Sequence, residues 1–145
     1  MTQEHIDLLT KDLSARLHYR LKIKTDYITT ATLISIRKNI SYGAGKDLVV
    51  TYDISGQETP FQGDERWGTI SKIKPYLFPL SSMTEEQSKE LEEIDPEFYS
   101  LICENGDIYV SMDVRGYDWL NKNHFDYRGL IPMGLAIDAT NLNIY

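Results

Sequence analysis

One cysteine, Cys103, occurs in the 145 residues, so no disulfide can form within the chain. That argues for a reducing, cytoplasmic setting rather than an oxidising one. No apolar run approaches the ~20 residues that span a bilayer. The opening Met1-Thr2-Gln3-Glu4-His5 also lacks the cationic-then-apolar pattern of a secretory leader. His5, His18, His124 and Cys103 stand at no metal-ligand spacing, so no metal is expected. There is no Gly-x-Ser-x-Gly elbow, His-Glu-x-x-His pair or dinucleotide fingerprint, and no cofactor is expected either. Gly43-Ala44-Gly45-Lys46 imitates a phosphate loop. However, Ile40 stands where the motif's first glycine belongs and Asp47 where its Ser/Thr belongs, so it reads as a hairpin loop.

Positive charge is also scarce, and its distribution is uneven. The net charge is −7. Residues 1–83 hold 11 Lys/Arg and 9 Asp/Glu, whereas residues 84–145 hold 4 and 13. Nine acids fall between Glu85 and Asp107 against Lys89 alone. Such a chain is a poor direct binder of nucleic acid, which demands a basic patch. The acidic run reads as a solvated helix face, or as a surface for a basic partner. What is plentiful is tyrosine, ten residues of it, which suits strands and interfaces.

The length fits one domain, 1–145. Ile6, Leu9, Leu13 and Leu17 predict an amphipathic helix over 3–17 capped by Thr2, with Asp7–Lys11 and Asp12–Arg16 as supporting pairs four apart. Alternation from Tyr19 to Tyr27 predicts a strand with a wet, basic face (Arg20, Lys22, Lys24), which can meet an anion or merely protect an edge. Further strands are expected at Ala31–Ile40, Leu48–Ile54 and Trp67–Ile73, with a turn at Thr29-Thr30 and a long exposed loop over Ser55–Arg66. Pro75 and Pro79 predict an extended strap over Lys74–Met83, with Tyr76, Leu77, Phe78 and Leu80 on the core. Thr84 and Gln87 form a capping-box pattern, opening a helix that cannot pass far beyond Asp95-Pro96. Asn105-Gly106 marks a hairpin across Phe98–Met112, the competing reading being a helix over Pro96–Cys103. The expected fold is therefore α+β: an N-terminal helix, an antiparallel sheet of four to six strands, open or barrel-like, and two further helices.

The C-terminal run Asp118–Leu130 concentrates the chemistry. Val114, Tyr117, Leu120 and His124 have helical spacing, with Asp113 as cap and Asn123 as left-handed exit. Asp126 can cap a turn over Tyr127–Ile131 closed by Pro132, and Leu135-Ala136-Ile137 reads as a terminal strand. His124, Asp126 and Arg128 form the one candidate catalytic set: base, orienter and anion binder. The plainer reading has Asp126 capping and pairing with Arg128, while His124 completes an apolar face. Catalysis needs convergent groups from elsewhere in the chain, and none is evident.

Three segments taken together, Asp12–Leu17, Ile73–Thr84, and Asp118–Ile131 with Gly134-Leu135-Ala136, resemble a group of short uncharacterised proteins of gut anaerobic bacteria and their phages or prophages. They cover about a quarter of the chain and come in the same order. Glu90–Asp113 has no counterpart in that group. The resemblance implies an accessory gene of a bacterial or mobile-element genome, acting inside the cell, and carries no activity or site residue. The leading functional expectation is a protein-binding module without catalysis. The alternatives are an inhibitor or nucleic-acid mimic directed at a host defence or DNA-processing enzyme, and a small enzyme centred on His124, Asp126 and Arg128.

Overall fold

The computed structural model describes residues 1–38, 48–54, 65–97 and 113–145. Helix α1 (Gln3–Ala15) starts as its composition dictates, with the Thr2 hydroxyl accepting from the His5 amide. Leu9 and Leu13 are fully buried against the sheet, with Ile6 and Leu17 packed at their margin. The helix stops short of residue 17. Leu17–Tyr19 tightens into a 3-10 turn, and Arg20 takes a left-handed φ of 54° that reverses the chain.

The expected nine-residue strand is consequently only three, β1 (Lys22–Lys24). Its other end is cut by Thr25, whose hydroxyl accepts from the Tyr27 and Ile28 amides while its own amide donates to the Ile28 carbonyl. Threonine's competition for local backbone groups thus places the turn at 25–28, before Thr29-Thr30. Leu21, Ile23 and Thr25 are still buried in alternation, as a half-wet strand requires.

The remaining strands are β2 (Ala31–Lys38), β3 (Leu48–Asp53), β4 (Glu65–Thr69), β5 (Lys74–Leu77) and β6 (Ile137–Asp138). They form one sheet in the order β4-β3-β2-β1-β5-β6. Every pairing is antiparallel except β5 with β6. The sheet is open, not a barrel: β4 and β6 are its two edges among the described residues, and a two-residue β6 offers little ladder to close on.

Two corrections concern this sheet. Glu65 and Arg66, expected in a loop, begin β4, and Ile70–Lys72 is a 3-10 turn rather than strand. The proline strap is a true strand, inserted between β1 and β6, with Pro75 opposite Ile23. Proline costs one ladder donor, and as the second residue of a four-residue strand it leaves the rest of the ladder intact. The loop expected at 41–47, most of the one expected over 55–66 and the hairpin expected across 98–112 fall outside the described residues.

Helix α2 (Glu85–Ile94) carries the expected capping box, with Thr84 and Gln87 satisfying each other's amides. Helix α3 (Val114–Lys122) begins with the Asp113 carboxylate accepting from the Arg115 amide. The two helices share a second core, in which Leu91, Trp119, Leu120 and Phe125 are buried and Trp119 stacks on Phe125 with ring centroids 5.7 Å apart. The first core lies between α1 and the sheet and includes Leu130, Leu135 and Ala136 from the C-terminal segment. That segment is fastened beyond the end of β5: the Phe78 amide donates to the His124 carbonyl, and the Asp126 amide donates to the Phe78 carbonyl.

Candidate functional site

The site is built around a side chain that helical geometry places inside α1's apolar stripe. Arg16 lies seven residues after Leu9 and three after Leu13, so at 100° per residue it points with them. It is fully buried. Its partner one turn back, Asp12, is also fully buried, and the two meet through two bonds, Nε to Oδ2 at 2.9 Å and Nη2 to Oδ1 at 3.0 Å. Nη2 also donates to the Phe125 carbonyl at 2.8 Å, and Nη1 makes long contacts with the Leu120 and Asn121 carbonyls at 3.4 and 3.5 Å. Those carbonyls come from the end of α3 and the residues just beyond it; each already accepts one backbone amide and offers its second lone pair to the guanidinium. A buried charge is tolerable only when paired and hydrogen-bonded, and here a forked donor satisfies both demands.

Arg128 is the second cation on Asp12, with Nε 3.3 Å from Oδ1. This is an ion pair by distance, although the N–H is not aligned for a hydrogen bond. Its Nη2 donates to the Tyr127 hydroxyl at 2.6 Å, which in turn donates to Asn121 Oδ1 at 3.0 Å. Its guanidinium carbon stands 4.5 Å from the centroid of the Tyr127 ring, and Arg16 lies 5.5 Å from the same centroid. Burial pushes the Tyr127 phenol above its usual range, opposed by the two nearby arginines. Two guanidiniums thus share one carboxylate and leave a net positive charge against an aromatic face.

His124 and Asp126 have other partners. His124, not Asn123, takes the left-handed position, with φ 59°, while Asn123 remains at the helix terminus. Its ring is buried and stacks on Tyr145 at 4.2 Å, and its Nδ1 has no hydrogen-bond partner among the described residues. Burial, aided by the charge of Arg16, lowers its pKa to about 4, so the imidazole is neutral near pH 7. The Asp126 carboxylate accepts from the Leu130 and Ile131 amides at 2.9 and 2.7 Å. It caps the turn that follows, as its position promised, but it does not pair with Arg128, whose acid is Asp12.

Of the three nominated residues, Arg128 lines a cleft formed by described residues. That cleft has a volume of about 490 Å³ and is lined by Lys11, Tyr117, Asn121, Tyr127 and Arg128. The Tyr117 and Tyr127 rings pack against each other in its lining, with centroids 5.2 Å apart. The structure therefore brings Arg128 together with Asp12, Arg16 and Lys11 rather than with His124 and Asp126. The sequence carried a signal for Arg16, its place in the leucine stripe, but an acid and a base four apart on a helix look the same at the surface and in the core.

Three distant stretches of chain adjoin here: Asp12 and Arg16 bond Phe125 and Arg128, and Phe78 bonds the main chain of His124 and Asp126. The terminal strand is Ile137–Asp138, shifted from Leu135–Ile137, because Leu135 and Ala136 are held by the Leu130 carbonyl.

Of the nine acids in the 85–107 run, seven fall in described residues. Glu85, Glu86, Glu90, Glu92, Glu93 and Glu97 are exposed around α2 and its end, and Asp95 is buried. Among the described residues no helix is long and apolar enough to cross a membrane, and no cluster of His, Cys, Asp and Glu has the form of a metal site. No protein family, curated protein or solved structure matches this chain.

Proposed function

We propose that this protein is a binding module, acting inside the cell as an accessory factor, whose Lys11–Arg128 cleft holds an acidic side chain of a protein partner. The observation that carries the reading is the excess of cation over acid at the Asp12–Arg16–Arg128 network, placed beside two tyrosine rings in a cleft of side-chain dimensions. Tyrosine and arginine are the residues through which protein interfaces gain most of their affinity. Arg128 is already held by Asp12 and Tyr127, so little rotamer freedom remains to be lost on binding. The residues nominated for proton transfer support the same reading, since the His124 ring lies under Tyr145 and the Asp126 oxygens are occupied by two amides.

The test is affinity capture from bacterial lysate followed by mass spectrometry, comparing the natural chain with Lys11→Glu. Lys11 is exposed, so the substitution leaves both cores intact. The reading expects a specific protein retained by the natural chain and reduced at least tenfold by the variant. A folded natural chain that retains nothing specific, or a partner retained equally by both, overturns it.

A further inference from the structure

A second basic depression lies on the sheet, formed by parts of the chain that are far apart in sequence. The register of β1 with β5 sets Lys24 directly opposite Lys74. Residues opposite one another across two strands share a face, and like charges in that arrangement repel and cost stability. A third cation, Lys72, comes from the Ile70–Lys72 turn that leads into β5. All three side chains are exposed and line a depression of about 550 Å³ with Thr25, Asp26, Ser71 and Ile137. Asp26 pairs with Lys72 at 3.1 Å. Among the described residues, neither Lys24 nor Lys74 is paired with a carboxylate. The depression therefore carries three cations against one acid.

Edge protection or solubility does not account for this placement. Lys24 and Lys74 are on β1 and β5, interior in the strand order, and are ladder partners of each other rather than residues of the outer strands β4 and β6. Solubility in a chain of net charge −7 is already supplied by acids. The neighbouring Lys22 takes a different course and donates to the Thr32 hydroxyl at 2.9 Å, so the clustering is specific to residues 24, 72 and 74. Thr25 is nearly buried and its oxygen already accepts from two amides, which leaves its hydroxyl proton as the group it has to give. Ser71 brings a second hydroxyl.

We propose that this depression binds a phosphate monoester group of a small molecule. Three ammonium groups arriving from two strands and a turn, with two hydroxyls, match a tetrahedral dianion that accepts from several directions. A planar carboxylate offers fewer acceptor directions and half the charge. Lysine serves here as a point charge on phosphate. Long polyanions such as nucleic acid are disfavoured, because the net charge of −7 repels them beyond the depression. The site is separate from the Lys11–Arg128 cleft and shares no lining residue with it.

The test is an NMR titration of the full chain with inorganic phosphate and with glycerol 3-phosphate at constant ionic strength, using chloride as control, alongside thermal melts. Saturable shifts are expected at the amides of Lys24, Thr25 and Ser71 to Lys74, with apparent affinity at least tenfold weaker in Lys74→Gln and in Lys24→Gln. In phosphate-free buffer Lys74→Gln should melt higher than the natural chain, because the cross-strand repulsion is gone, and it should lose the rise in melting temperature that phosphate gives the natural chain. Shifts that stay linear, that spread evenly over surface lysines, or that persist unchanged in both variants overturn the proposal. So does a Lys74→Gln chain that melts lower without phosphate and still responds to it.

Discussion

The strongest consequence of the structure concerns Asp12. Replacing it with asparagine keeps the size of the side chain and removes its charge. Arg16, with no exposed surface, would then sit in the interior with main-chain carbonyls as its chief partners, and Arg128 would lose its acid as well. Breaking a buried ion pair from one side costs about 3–5 kcal/mol. An exposed pair at the same helical spacing is worth about 0.3–0.5 kcal/mol, so the two readings of this pair differ roughly tenfold. Arg16→Met should cost a similar amount, about 3–5 kcal/mol, since it leaves the buried Asp12 with only the unaligned Arg128 contact and takes the guanidinium donor from the Phe125 carbonyl. If the residues act as a unit, Asp12→Asn with Arg16→Met should cost less than the sum of the two by about 2–3 kcal/mol. A domain of this size has about 5–15 kcal/mol of stability, so the single variants should remain folded and measurable. Urea denaturation followed by tryptophan fluorescence and far-ultraviolet circular dichroism gives the numbers; Trp119, stacked in the second core, reports on the region that receives Arg16. A cost below about 1 kcal/mol for Asp12→Asn, or strict additivity of the two substitutions, would refute the buried network.

Two further predictions follow from local features. The pKa of His124 is lowered to about 4, so the unfolded chain binds its proton more tightly than the folded one, and stability is full above pH 6.5 and lost as pH falls toward 4. Between those limits the loss from this group is about 3 kcal/mol. The natural chain's stability relative to His124→Asn, which keeps a residue tolerant of the left-handed backbone, should shrink by that amount in urea titrations run from pH 7 to pH 4; a difference that stays flat removes the claim. Thr84→Ala should cost about 1 kcal/mol, and adding Gln87→Ala should cost little more, because the capping box acts reciprocally. Equal stability of Thr84→Ala and the natural chain in urea would show that α2 does not depend on its cap.

Much of the fold was written in local pattern. The α1 leucines, the Thr2 cap, the Thr84–Gln87 box, the Asp113 cap and the Asp126 cap each depend on residues within about one turn of each other, and all form as their spacing dictates. The element ends were also set locally. Thr25 and Arg20 shortened β1 through turn chemistry that alternation alone does not register, and His124 rather than Asn123 took the left-handed position.

What the chain order could not supply was partnership across distance. No pattern within Lys74–Met83 reveals that β5 slots between β1 and a strand more than sixty residues later, because pairing is decided by which edges remain open once the other strands have joined. Charge shows the same division most clearly. The spacing of Asp12 and Arg16 fixed that they would touch. Whether they would touch in water or in the core depended on the end of α3 and the turn beyond it, whose carbonyls, each with a second lone pair to give, made burial of a guanidinium tolerable.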